Sequence, residues 1–370
     1  MPVKIICVVG TRPEAIKMAP LILALKEQSW ADVRVLATAQ HRELLDQVLS
    51  LFDIHPDFDL DIMQPNQTLS SLTGRLLIEI DDVLAQNKPD VVIAQGDTTT
   101  VMTMALACFY HNIPFGHVEA GLRTFDLKNP FPEEVNRVLA GKFARWHFAP
   151  TQESYDNLVR EGVAEDHIVK TGNTVIDALM MTASKNIPID VPLSDEKKLI
   201  LVTSHRRENF GKPFEAICAG ISDIATRNAN VQILYPVHPN PNIKNTAEKF
   251  LGSIPNITLC APLDYGPFIT AMNKAYLIIT DSGGVQEEAP SLGKPVLVLR
   301  DETERPEAVD EGVVKLVGAD RQKIVSETEL LLNDIDAYKA MAKGVSPYGD
   351  GHASSRIVET LKIHFGKNEA

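Results

Sequence analysis

Leu277-Ile278-Ile279-Thr280-Asp281-Ser282-Gly283-Gly284-Val285-Gln286-Glu287-Glu288, running on through Ala289-Pro290-Ser291-Leu292-Gly293, sets the architecture of the second half of the chain. The opening apolar, β-branched run predicts a buried parallel strand. Two glycines follow Ser282, and a short helical segment then carries two carboxylates to the Gly293-Lys294-Pro295 stop. A strand that turns through Gly-Gly into a helix leaves several backbone N–H groups unpaired and pointing one way, which suits a phosphate. Glu288, one turn in, is placed to accept hydrogen bonds from adjacent hydroxyls such as those of a ribose. An ordinary tight strand-to-helix turn would look the same, so the surrounding units have to decide.

Those units repeat one theme, an apolar strand followed by polar residues at its carboxyl end. Leu199 to Ser204 is a strand ending in His205-Arg206-Arg207-Glu208-Asn209, a local cation cluster. Ile233 to Tyr235, Ile257 to Pro262 and Val296 to Arg300 are further strands, the last leading to Glu304-Arg305-Pro306. A helix begins near Tyr265-Gly266-Pro267-Phe268, and closing helices are expected over Thr328–Lys343 and Ser354–Phe365.

The first half reads the same way. Val3 to Val9 is a strand, Gly10-Thr11-Arg12-Pro13-Glu14 its turn, and Pro13 suits the first position of a helix carrying Lys17. Asp90 to Gln95 runs into Gly96-Asp97-Thr98-Thr99-Thr100, and Pro114 to Glu119 breaks at Ala120-Gly121. Asp97 and Glu119 therefore fall at strand ends of one sheet, where open α/β sheets place ligands. Asp97 before three threonines also reads as an ordinary helix cap. A carboxylate closing a buried strand, as Glu119 does, is costly unless paired or used. Glu133 and Glu134 open a helix after a loop with two prolines, where the helix dipole alone favours them.

A chain of 370 residues with net charge −13 fits two α/β domains and is a poor match for a broad nucleic-acid or anionic-membrane surface. Cys7, Cys108, Cys218 and Cys260 are widely spaced, which fits reduced thiols in a cytoplasmic protein better than disulfides or zinc. No apolar run is long enough for a membrane span. The chain has no G-x-G-x-x-G after the first strand, no P-loop and no metal-ligand spacing. Two doubly wound halves facing a cleft, cations and a phosphate turn on one side and acid/base carboxylates on the other, point to a metal- and cofactor-independent site for a nucleotide-sugar.

Nine runs occur in register from the first strand to Gly351. They are 10–17, 38–43, 95–100, 116–124, Pro132-Glu133-Glu134, Thr171-Gly172-Asn173-Thr174, 205–209, Asp281-Ser282-Gly283-Gly284 and 304–308. Together they resemble the non-hydrolysing UDP-N-acetylglucosamine 2-epimerases. The resemblance implies a glycosyltransferase-B-like fold: a Rossmann-like domain over 1–172, with a terminal helix near 352–366 packing back on it, and a second over 173–351. It implies a homodimer and reversible conversion of UDP-GlcNAc to UDP-ManNAc for surface polysaccharides, by elimination and re-addition of UDP through a glycal. Matched residue by residue, Asp97, Glu119, Glu133 and His205 stand at catalytic positions. Arg12, Lys17, Phe268, Ser282, Gly283, Gly284, Glu288 and Arg305 stand at UDP-binding ones. Some members bind a second UDP-GlcNAc as activator, and Gln40, His41, Arg206 and His238 match part of that site, while Glu43 and Asn66 depart from it. A hydrolysing epimerase or a UDP-sugar glycosyltransferase of the same architecture stays open.

Overall fold

The structure is a computed structural model that describes residues 1–38, 42–64, 66–206, 209–303 and 305–366. The chain forms two compact units, residues 1–181 with 348–370, and residues 182–347.

The first unit is built on a parallel sheet of strands β1 (Val3–Val9), β2 (Ala31–Ala37), β3 (Phe58–Asp59), β4 (Val91–Gln95), β5 (Phe115–Val118), β6 (Trp146–Ala149) and β7 (Ile168–Lys170). Their order in the sheet is β3-β2-β1-β4-β5-β6-β7. The order reverses between β1 and β4, so the loops after these two strands flank a topological switch point. The helices are α1 (Arg12–Lys26), α2 (Arg42–Leu51), α3 (Leu69–Asn87), α4 (Thr99–Tyr110), α5 (Glu133–Phe143), α6 (Gln152–Arg160) and α7 (Thr174–Ser184). One core cluster joins Leu72, Leu76, Ile80 and Leu84, the inward stripe of α3, to Val92, Ala94 and Met104.

The second unit repeats the plan with β8 (Lys198–Thr203), β9 (Val231–Pro236), β10 (Ile257–Cys260), β11 (Leu277–Thr280), β12 (Val296–Val298) and β13 (Val314–Leu316), ordered β10-β9-β8-β11-β12-β13 and parallel throughout. Its switch point lies between β8 and β11. The helices are α8 (Lys212–Arg227), α9 (Pro241–Leu251), α10 (Tyr265–Lys274), α11 (Gly283–Glu288), α12 (Pro306–Asp310), α13 (Arg321–Asn333) and α14 (Ile335–Met341). The single helix expected over 328–343 is two. Asp334 breaks it, because its carboxylate accepts the amides of Asp336 and Ala337 and starts α14 afresh.

The first unit runs on past residue 172 to Met181, in the last turn of α7. Asp177 on α7 accepts the main-chain N–H of Ala353 (3.2 Å) and Ser354 (2.8 Å), capping α15 (Ala353–Phe365). Arg356 then donates to Thr171 O at 2.8 Å. These bonds tie α15 to α7 and to the loop before it within the first unit. Among the described residues no helix is long and apolar enough to cross a membrane.

Candidate active site

In the first unit the site grows from the two loops at the switch point. After β1 the chain turns through Gly10, where a Cβ would lie 2.7 Å from Thr38 Oγ1 and 3.0 Å from Glu14 Oε2, so a larger residue would have to displace these side chains. Thr11 caps α1, and Glu14 answers as a capping box, its Oε2 accepting from Gly10 N (2.8 Å) and Thr11 N (2.7 Å). Its Oε1 accepts the Thr98 hydroxyl at 2.6 Å. One buried carboxylate thus staples the loop after β1 to the loop after β4. Burial pushes its carboxyl up, and the bonds from Thr98, Gly10 and Thr11 pull it back.

Thr98, not Asp97, caps α4, its side chain accepting Val101 N. The cap reading of Asp97 is overturned and its carboxylate is available for other work. It pairs with Arg137 Nη2 at 2.6 Å, and its main-chain oxygen accepts the Asn136 amide at 2.9 Å. Burial raises its pKa, Arg137 and Lys17 lower it, and the like charges of Glu119 and Glu133 raise it. Beneath it His117 donates Nε2–H to Gly96 O at 2.7 Å. Burial holds this imidazole neutral, its pKa lowered to about 4.

Glu119 follows β5 in the left-handed region, φ 62°. That conformation costs about 1–2 kcal/mol for a residue with a Cβ. It is held by its partners: Lys17 Nζ lies 2.7 Å from both carboxylate oxygens, Asn173 donates to Oε1 at 2.9 Å, and the Gln95 amide donates to Oε2. Two residues on, Gly121 has φ 92°, and a Cβ there would meet Ser154 O at 2.2 Å. Glu133, half-buried, begins α5, whose next residue Glu134 accepts Thr124 N and Phe125 N, each at 3.0 Å. Arg12 is exposed at the start of α1.

In the second unit the organising group is Asp281, which closes β11 and is fully buried. It accepts Ser204 Oγ (2.9 Å), His205 N (2.9 Å), Arg206 N (2.9 Å) and Asn209 Nδ2 (3.2 Å), so it fixes the loop after β8. His205 Nδ1 lies 3.3 Å from Asp281 Oδ1, and its ring, 45 % exposed, stacks on His238 at 6.1 Å. The Ser282–Gly284 turn opens α11, with Gly284 exposed. The Arg206 guanidinium stands 3.8 Å from where a Cβ of Gly283 would sit, so Arg206 lies at this turn. Glu288 accepts the Tyr265 hydroxyl at 3.0 Å, and Phe268 sits on the same helix as Tyr265, its N–H bonded to Asp264 O. Arg305 pairs with buried Glu287, and Thr303 donates to Gln286 at 2.6 Å.

The structure therefore gathers Lys17, Asp97, Glu119 and Glu133 in the first unit, and His205, Arg206, His238, Ser282, Gly283 and Gly284 in the second. Gln40 and His41 lie outside the described residues. Sequence reasoning missed Arg137, Asn136, Glu14 and the structural work of Asp281. Arg137 carried a readable signal, being one helical turn after Glu133 and Glu134. Among the described residues no group of three or more His, Cys, Asp and Glu could hold a metal ion.

A family model described as UDP-N-acetylglucosamine 2-epimerase matches residues 23–362. The UDP-N-acetylglucosamine 2-epimerase of Escherichia coli (strain K12) is 55 % identical over 369 residues, covering 97 % of this chain and 98 % of its own. The chain belongs to the UDP-N-acetylglucosamine 2-epimerase family. The family's UDP-GlcNAc-bound structure from Neisseria meningitidis is 48 % identical with a TM-score of 0.85, covering 97 % of this chain and 99 % of its own. The Methanocaldococcus jannaschii epimerase, in complex with UDP-GlcNAc and UDP, is 36 % identical with a TM-score of 0.75, covering 97 % and 99 %. At 11 % identity the glycotransferase of kitacinnamycin still reaches a TM-score of 0.68 over 98 % of this chain and 99 % of its own. The fold of this family of isomerases is thus glycosyltransferase-B-like.

Proposed function

We propose that this protein interconverts UDP-GlcNAc and UDP-ManNAc by inverting carbon 2 of the sugar, without net hydrolysis. The observation that carries the reading is the intact carboxylate set, Asp97, Glu119 and Glu133, within a chain 55 % identical over 369 residues to a UDP-N-acetylglucosamine 2-epimerase. The hydrogen at carbon 2 has no neighbouring carbonyl, so a carboxylate cannot remove it directly at a useful rate. Departure of UDP from carbon 1 builds oxocarbenium character and acidifies that hydrogen. Arg12, His205, Arg305 and the Ser282–Gly284 amides stabilise the leaving diphosphate in this reading, an electrostatic contribution of about 3–4 kcal/mol for each well-placed donor. A carboxylate then takes the proton to give a glycal, and proton return to the opposite face with re-addition of UDP gives the epimer.

Asp97 and Glu133 are assigned as the proton carriers. Glu119, held by Lys17, Asn173 and Gln95, is assigned to orienting or sharing the proton. Phe268 and Glu288 are assigned to the nucleoside. Arg206 and His238 are assigned to a second UDP-GlcNAc site with Gln40 and His41. The product would feed surface polysaccharide synthesis in the cytoplasm.

A homodimer completes the reading. Ile78 on α3, Phe109 and Tyr110 at the end of α4, and Leu139 on α5 are 66, 60, 60 and 40 % exposed, and Phe109 lies 5.3 Å from Phe143. Exposed apolar side chains on helices that pack side by side suit a second copy of the chain. Light scattering should give twice the chain mass, and Phe109→Glu should halve it.

The deciding experiment is a proton NMR time course on UDP-GlcNAc in heavy water. Deuterium should enter carbon 2 of both epimers while the sum of UDP-sugars holds constant. Epimer without deuterium excludes the glycal route, and accumulating free ManNAc with UDP makes the enzyme a hydrolase.

A further inference from the structure

We propose that Arg137 is a positioning residue for the C2 proton transfer, holding the Asp97 carboxylate in place and tying it to the helix that carries Glu133. The proposal rests on the reading that Asp97 exchanges the substrate proton.

The geometry is specific. Asp97 follows Gly96, whose φ is 91°, and Thr98 has already capped α4, so the carboxylate is not consumed locally. Two arms from consecutive residues of α5 then hold it. Asn136 takes the main-chain oxygen at 2.9 Å, and Arg137 takes Oδ2 at 2.6 Å. Among the described residues Oδ1 has no hydrogen-bond partner, which leaves one oxygen to meet a ligand. The Arg137 side chain is only 12 % exposed, and its other terminal nitrogen lies 3.3 Å from Glu134 Oε2. Glu134 is itself fixed by two main-chain amides of the preceding loop. The guanidinium thus lies between two carboxylates, hydrogen-bonded to Asp97 and within ion-pair distance of Glu134. Glu133, the other proposed proton carrier, is one turn earlier on the same helix, so both acid/base groups take their position from α5.

The charges facing Asp97 give Arg137 a second consequence. Glu119 beyond β5 and Glu133 on α5 oppose ionisation of Asp97, as does its burial. Arg137 on α5 and Lys17 on α1 favour it, and His117 under the loop is neutral. Lys17 pairs with Glu119 at 2.7 Å, and among the described residues Arg137 is the cation shown paired with Asp97. Removing it should raise the proton affinity of Asp97.

The test uses the full-length enzyme with either epimer as substrate across pH. Arg137→Met should lower kcat about 100-fold or more while KM changes by less than about threefold. The acidic limb of the kcat profile should move up by about one unit or more in the direction in which Asp97 is the base. Arg137→Lys should recover part of the rate and move the limb back, and it keeps the test open if Arg137→Met does not fold. A limb that stays put in both directions in every variant that folds overturns the proposal, as does a change in KM alone. Asp97→Asn separates the two levels. If it still exchanges deuterium at carbon 2, the assignment of Asp97 fails and the role of Arg137 with it. If it abolishes exchange while Arg137→Met and Arg137→Lys leave the limb unmoved, only the Arg137 proposal falls.

Discussion

The two units solve the problem of placing charge at a strand end in opposite ways. In the first, the carboxylates Asp97 and Glu119 are functional candidates, and each is met by a cation from a helix, Arg137 and Lys17. In the second, one buried carboxylate, Asp281, spends its lone pairs on the neighbouring loop, and His205, which it positions, and Gly284 of the adjoining turn are exposed. The first arrangement suits proton transfer, where charge must stay controlled and largely out of water. The second suits an anion that arrives from solvent and brings its own charge. Stability and activity should therefore be coupled in the first unit and separable in the second.

The sharpest break of that contrast is Lys17→Met, which strands the Glu119 carboxylate at a buried, left-handed position. It should lower unfolding free energy by about 3–5 kcal/mol in urea titrations. Lys17→Met/Glu119→Gln should recover much of that loss without recovering turnover. His205→Asn should behave in the opposite way. An exposed imidazole contributes little to folding, so the urea midpoint should hold while kcat falls about 100- to 1,000-fold. A midpoint shift comparable to that of Lys17→Met would erase the distinction between the units. Gly121→Ala probes the first unit alone. With φ at 92° and Ser154 O at 2.2 Å, it should cost about 1–3 kcal/mol and lower turnover by displacing Glu119.

The smallest effect near neutral pH is a pH dependence of stability. Burial lowers the pKa of His117 to about 4 and that of His147 to about 3, against a usual value near 6.5. Between those values the unfolded chain binds more protons than the folded one. Stability from this source is therefore full above about pH 6.5 and falls as pH drops toward 4 and then 3. His147→Gln should flatten the acid side of a plot of melting temperature against pH; an unchanged slope would remove His147 from the account.

Much of this was written in the chain's local pattern. The run Leu277 to Gly293 announced a buried strand, a glycine turn and a short helix, and β11, α11 and the left-handed Gly293 follow it closely. The alternation of apolar runs with helical stretches foretold two doubly wound sheets, because a parallel strand must be apolar on both faces and its crossover must return over one of them. Short or polar elements escaped. β13 has only three residues, and α13 begins at Arg321, well before the apolar stretch suggested.

What the sequence by itself determined is which residues stand at strand ends, since that follows from local periodicity and turn chemistry: Asp97, Glu119, His205 and Ser282 were all placed there. What only the tertiary structure decided is how their charges are settled. Arg137 meets Asp97 across 40 positions of chain and Lys17 meets Glu119 across 102. Asp281 holds His205 N from 76 positions away. A carboxylate's proton affinity depends on its burial and on the ions within a few ångströms, and neither is a property of its sequence neighbours.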